Sequence, residues 1–138
     1  MFKLFEPLPF QEKAPRWSGR ASLYAWIFGL SPFADLFVCS NDQKRYAVIS
    51  TEHPELIELH SENMNDFLSR FIGDPQVRRD FFREKDYEAL SLRLGPLAQE
   101  ECFFAVPYTV VGETGALDTY QKGDVWVHLD LYGQTLGL

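Results

Sequence analysis

The spacing of hydrophobic positions changes along the chain, and each change predicts an element. Between Asp35 and Ile49 the apolar residues come as solid runs, Leu36-Phe37-Val38-Cys39 and Tyr46-Ala47-Val48-Ile49. The polar Ser40-Asn41-Asp42-Gln43 between them tolerates turn geometry, so the two β-rich runs predict a hairpin. Leu56-Ile57-Glu58-Leu59, after Pro54, predicts a third strand and an antiparallel meander. From Met64 the period becomes helical: Met64, Phe67, Leu68, Phe71 and Ile72 share one face, with Ser61 as N-cap and Gly73 as stop. Asp74-Pro75 opens a second helix that turns Val77, Phe81 and Phe82 inward and Arg78, Arg79, Arg83 and Lys85 outward. A third helix is expected from about Tyr87 to Leu94.

The flanks are less regular. Pro7, Pro9, Pro15 and Gly19 punctuate the first 22 residues, so this stretch is expected to be an arm laid over the domain and pinned by Phe5, Phe10 and Trp17. Leu23 to Phe28 fits either a strand or one buried helical turn. After Gly95-Pro96, the apolar run from Cys102 to Gly112, interrupted at Pro107, predicts an extended segment threaded through the core, and Pro107 is a position where a cis peptide is worth seeking. Glu113-Thr114-Gly115 and Lys122-Gly123 read as turns, with a short strand between Leu117 and Tyr120. Strands followed by helices define the fold class as α+β. The division is an arm at 1–22 and one α+β domain at 23–138.

Composition narrows the function. A chain of 138 residues that is 46% hydrophobic and 15% aromatic can bury a sizeable core as one domain. Its net charge of −7 opposes nucleic acid or an anionic membrane as ligand, since phosphate contacts need clustered Lys and Arg. An acidic chain is suited instead to a basic partner. With no signal-like leader and no apolar run of membrane-spanning length, a cytoplasmic location is expected.

Glu52, Glu55, Glu58, Glu62 and Asp66 occur with no Lys or Arg between Arg45 and Arg70. On the third strand and the following helix they concentrate negative charge along one edge, a surface suited to a basic protein such as the DNA-binding cleft of a nuclease. Glu100, Glu101, Glu113, Asp118, Asp124 and Asp130 offer a second acidic face. The basic cluster Arg78, Arg79, Arg83 and Lys85 is interleaved with acids and reads as helix-surface pairing. His53 and His60 flank the acidic strand without chelating neighbours, and His128, between apolar residues, reads as a hydrogen-bonded packing histidine. Cys39 and Cys102 lie in apolar runs as buried thiols. No nucleotide-binding glycine pattern, nucleophile elbow or zinc spacing is present, so neither catalysis, metal nor cofactor is expected.

Arg93-Leu94-Gly95-Pro96-Leu97, an aromatic segment ending in Val106-Pro107 and Gly112, and a terminal stretch with His128, Leu129 and Gln134 resemble the immunity domains that neutralise DNase toxins of bacterial type VI secretion. Phe104 fits the same pattern, and Gly29, Phe33, Leu36 and Phe37 fit more loosely. The likeness spans Leu23 to Leu138 and rests on structural residues. Glu113 departs from it, standing where the family tends to have a second glycine. Such domains often follow a GAD-like domain, which this sequence lacks.

The resemblance implies a non-enzymatic protein that binds a co-encoded toxin. Its partner would be a basic nuclease, met by Glu52, Glu55, Glu58, Glu62 and Asp66. A cytoplasmic adaptor of the broad Smi1-like superfamily, without a toxin partner, is the alternative. For Asp124 to Gln134 the resemblance implies a short helix, whereas Val125, Val127, Leu129 and Leu131 alternate like a strand; the burial expected of Trp126 and Tyr132 favours the helix.

Overall fold

The computed structural model describes residues 1–108 and 116–138. The expected meander is present and extends to five antiparallel strands in sequence order: β1 (Lys3–Pro9), β2 (Tyr24–Leu30), β3 (Leu36–Ser40), β4 (Tyr46–Ser50) and β5 (Glu55–Leu59). β3 and β4 pair without a slip from Leu36↔Ile49 to Cys39↔Tyr46, and Gln43 takes a left-handed φ of 58° in the connecting turn.

The solid apolar runs of β3 and β4 follow from burial on both faces. Alternate side chains, Leu36, Val38, Ala47 and Ile49, join one core with Phe10, Trp17, Val125, Leu129 and Tyr132. The intervening Phe37, Cys39, Tyr46 and Val48 join another with Phe28, Phe67 and Phe82. The first face is covered by the short helical turns α1 (Phe10–Lys13) and α2 (Pro15–Ser18) and by the terminal helix α5 (Val125–Thr135). The second is covered by α3 (Met64–Phe67), which continues as a π-helical turn over Leu68–Ile72, and by a second π-helical turn over Val77–Phe81. The sheet is therefore the middle of three layers, an α+β architecture. Helix α4 (Glu84–Leu94) and a separate two-stranded ribbon, β6 (Glu101–Ala105) with β7 (Tyr120–Asp124), close one end around Phe33, Leu90, Phe103 and Tyr120.

Several sequence expectations are corrected. The first part of the supposed arm is β1, an edge strand paired from Lys3↔Leu30 to Pro9↔Trp26 with a register shift between Leu4 and Leu8. Prolines are admissible there because an edge strand leaves one row of N–H groups unpaired. Phe10 and Trp17 are buried as pins, and the Trp17 indole donates to Leu129 O at 2.9 Å. Of the ambiguous run Leu23 to Phe28, Tyr24 onward forms the start of β2 and Leu23 lies in the preceding turn. Asn63, not Ser61, caps α3: its side-chain oxygen accepts from Asp66 N at 2.9 Å. Lys122-Gly123 lies inside β7, not in a turn, and Leu117 to Thr119 is a single 3₁₀ turn.

Asp124 to Gln134 resolves as helix. Asp124 accepts from the N–H groups of Trp126 and Val127 at 2.9 and 3.0 Å, satisfying two of the donors a helix start leaves orphaned. The Val106–Pro107 peptide is cis. The expected core-threaded segment enters as β6, and its remainder from Thr109 to Gly112, with the Glu113-Thr114-Gly115 turn, lies outside the described residues.

Candidate functional site

Two places gather functional groups. The first is the acidic edge. Among the described residues β5 pairs only with β4, so one side of it is a sheet edge there. Its register, Glu55↔Ser50 through Glu58↔Ala47, sends Glu55 and Glu58 to opposite faces, because strand side chains alternate. Glu55, Glu58 and the following Glu62 are exposed. The other two acids of the predicted set are directed elsewhere. Asp66 accepts from Glu62 N at 3.0 Å and pairs with Arg70 at 2.9 Å, which ties it to the start of α3. Glu52 turns inward, with Oε2 3.7 Å from Arg83 Nη1. Glu58 also accepts the Tyr24 hydroxyl at 2.9 Å; burial, then that bond, pushes the phenol up to about 12.

The second acidic face is largely engaged in local structure. Asp124 caps α5, Asp130 pairs with Arg16 at 2.8 Å, Glu101 accepts from Ala98 N, and Glu100 accepts the Trp126 indole N–H. Glu113 lies outside the described residues. His53 and His60 are exposed at either end of β5. Among the described residues no group of three or more His, Cys, Asp or Glu is placed to hold a metal ion. Cys39 and Cys102 are buried and unpaired. Burial pushes the Cys39 thiol up to about 11 and raises that of Cys102 further, so neither is a ready thiolate.

The second place is a pocket that the pattern of charges did not announce. It opens between β6, the start of β7, α5 and the turn after β4. Arg83, expected to face outward from a helix, is part of its wall. Arg83 takes a left-handed φ of 54° immediately before α4, which breaks the helix and carries the side chain inward. Only 13% of that side chain is exposed. Its Nε donates to Asp86 at 3.0 Å, and its guanidinium carbon lies 4.1 Å from the Phe33 ring centroid and 5.3 Å from that of Tyr120.

Across the pocket, α5 supplies His128 and Tyr132, one turn apart on one face. The imidazole is stacked between Phe104, at 4.9 Å, and Tyr132, at 5.6 Å, and Tyr108 leans on both α5 rings at 5.4 Å. His128 is thus a packing residue, as expected, and among the described residues its Nδ1 has no hydrogen-bond partner. Burial pushes its pKa down to about 4, so the ring is neutral at pH 7.

The polar inventory of the pocket is unusual. Among the described residues five buried side-chain nitrogen or oxygen atoms lack a partner, and three of them, Arg83 Nη2, His128 Nδ1 and Tyr132 Oη, belong to residues that line this one cavity. Buried polar atoms are nearly always paired, so three unpaired ones on residues of a single cavity set this pocket apart. Nothing in the sequence shows this directly. His128 and Tyr132 at a spacing of four on an aromatic-rich helix are the only trace, and Arg83 is hidden by the acids around it.

No family model matches the chain, and no curated protein matches it. Among solved structures it is similar to a protein described as Atu4351 from Agrobacterium tumefaciens, with a TM-score of 0.62 and 12% identity. The likeness covers 96% of this chain and 66% of that one. At that identity it establishes a shared fold. No helix among the described residues is long and apolar enough to cross a membrane.

Proposed function

We propose that the chain is an immunity protein: a non-enzymatic cytoplasmic domain that neutralises a co-encoded toxin, a type VI secretion nuclease, by protein–protein contact. The observation that carries the reading is the edge of β5 that no described strand covers, with exposed Glu55 and Glu58 on its two faces and Glu62 just beyond. A nuclease must present Lys and Arg to phosphates, and carboxylates in the same places take over those contacts. An edge strand also offers unpaired N–H and C=O groups, so the partner can add main-chain hydrogen bonds to the charge pairs. The resemblance of the segments around Gly95-Pro96, Pro107 and His128 to toxin-immunity domains supports the same reading, and the acidic net charge favours fast encounter with a basic partner. Glu52 and Asp66 are left to internal roles, which narrows the docking set to Glu55, Glu58 and Glu62.

The test is co-purification with the product of the gene adjacent to its own. A stoichiometric complex whose affinity falls with added salt supports the reading. A neighbouring product that neither binds this protein nor cuts DNA removes it and favours an adaptor without a toxin.

A further inference from the structure

The pocket around Arg83 calls for a ligand, and its chemistry narrows the class. Its charges are already met internally: the Arg83 guanidinium faces Asp86 at 3.0 Å and Glu52 at 3.7 Å, and His128 is neutral. An added anion would meet two carboxylates around one cation, and an added cation would meet Arg83. The unspent capacity is of a neutral kind. Arg83 Nη2 and the Tyr132 hydroxyl are donors, and a neutral imidazole nitrogen can serve as acceptor. Burial and the nearby Glu52 hold the Tyr132 phenol above its usual range, so it keeps its proton.

A planar group with one carbonyl oxygen and one N–H matches this set. Its oxygen is an acceptor of the kind that Nη2 and the phenol lack, and its N–H a donor of the kind that Nδ1 lacks. The cavity is about 40 Å³, room for about three waters at roughly 10–15 Å³ each, or for the three terminal heavy atoms of a carboxamide. The surrounding rings, among them Phe104, Tyr108 and Tyr120, offer π faces to a flat ligand.

We propose that this pocket binds a small molecule through a planar carboxamide, with an attached ring resting on the aromatic walls. No lining residue belongs to β5 itself, and the site is expected to work in the free protein.

The experiment uses the isolated full chain, ¹⁵N-labelled, titrated with nicotinamide and followed by two-dimensional NMR. Nicotinate is the control, since it keeps the ring and replaces the amide with a carboxylate. Saturable shifts centred on Arg83, His128 and Tyr132, with nicotinate at least fivefold weaker, are expected. Tyr132→Phe removes one donor and one buried unpaired oxygen while keeping the ring, so it should weaken nicotinamide at least threefold without loss of thermal stability. Equal binding of nicotinate, an unchanged affinity in Tyr132→Phe, or no saturable shift up to the solubility limit would overturn the proposal, the last leaving the cavity to ordered water.

Discussion

Arg83 lies over the face of Phe33, its guanidinium carbon 4.1 Å from the ring centroid, while its Nε holds Asp86. One side chain thus joins the start of α4 to the loop between β2 and β3 and to the turn bearing Glu52. Removing it takes away the guanidinium that faces Glu52 and Asp86 in a partly dry site. Because both acids keep some exposure, Arg83→Ala should cost about 3 kcal/mol, at the lower end of a buried pair. Urea unfolding measures this, and Arg79→Ala, on an exposed pair, should cost less than about 0.5 kcal/mol.

Gly29 sits where β2 passes between β1 and β3. A Cβ there would lie 2.6 Å from Phe37 Cδ2 and 2.9 Å from the backbone oxygen of Lys3. The backbone neighbour cannot rotate aside, so Gly29→Ala should destabilise by about 2 kcal/mol or more. Gly19→Ala, with open space around it, is the matched control and should be near neutral.

Two buried groups give stability opposite dependences on pH. Burial raises the Asp35 carboxyl to about 7 despite its bond from Ser31 at 2.6 Å. Between the ordinary carboxyl value of 3.8 and about 7, the folded chain keeps a proton that the unfolded chain has released, so stability falls as pH rises through that window. His128 is the reverse. Between about 4 and 6.5 the unfolded chain holds a proton that the folded one lacks, so stability rises with pH. Each contributes a slope approaching about 1.4 kcal/mol per pH unit, and the two oppose. Relative to wild type, Asp35→Asn should tilt the stability profile upward between pH 4.5 and 6, and His128→Phe should tilt it downward. Denaturation midpoints across that range check both signs.

Charge reversal at Glu55, Glu58 and Glu62 should leave the chain folded, with a small loss of stability from the Glu58 bond to the Tyr24 hydroxyl, while weakening partner binding at least tenfold and flattening its salt dependence. Asp66→Asn should do the opposite, lowering stability by about 1 kcal/mol through the start of α3 while leaving affinity near that of wild type. Calorimetric titration with the partner at two salt concentrations separates the two behaviours.

Where local pattern and tertiary packing agreed, the fold was legible. The β3–β4 hairpin, β5, the face led by Phe67 and the break at Gly95 could all be read from spacing and turn chemistry. β1 was hidden because prolines suggest an arm until an edge position makes them harmless. Lys122-Gly123 looked like a turn because glycine usually marks one, yet Gly123 is in β7 with the Phe104 ring over it, where a Cβ would stand 3.1 Å from the ring. The acidic edge was legible as composition, but strand parity and the inward turn of Glu52 were not. The pocket was least visible, since Arg83 sits in a run of alternating charges and only its backbone angle directs it into the core.

The most direct measurement is a titration of the neighbouring gene's product with this protein, following DNA cleavage at low salt. The account predicts that cleavage falls linearly to zero at one equivalent, and that the Glu55, Glu58 and Glu62 reversal variant loses this end point. Undiminished cleavage with excess folded protein would contradict it.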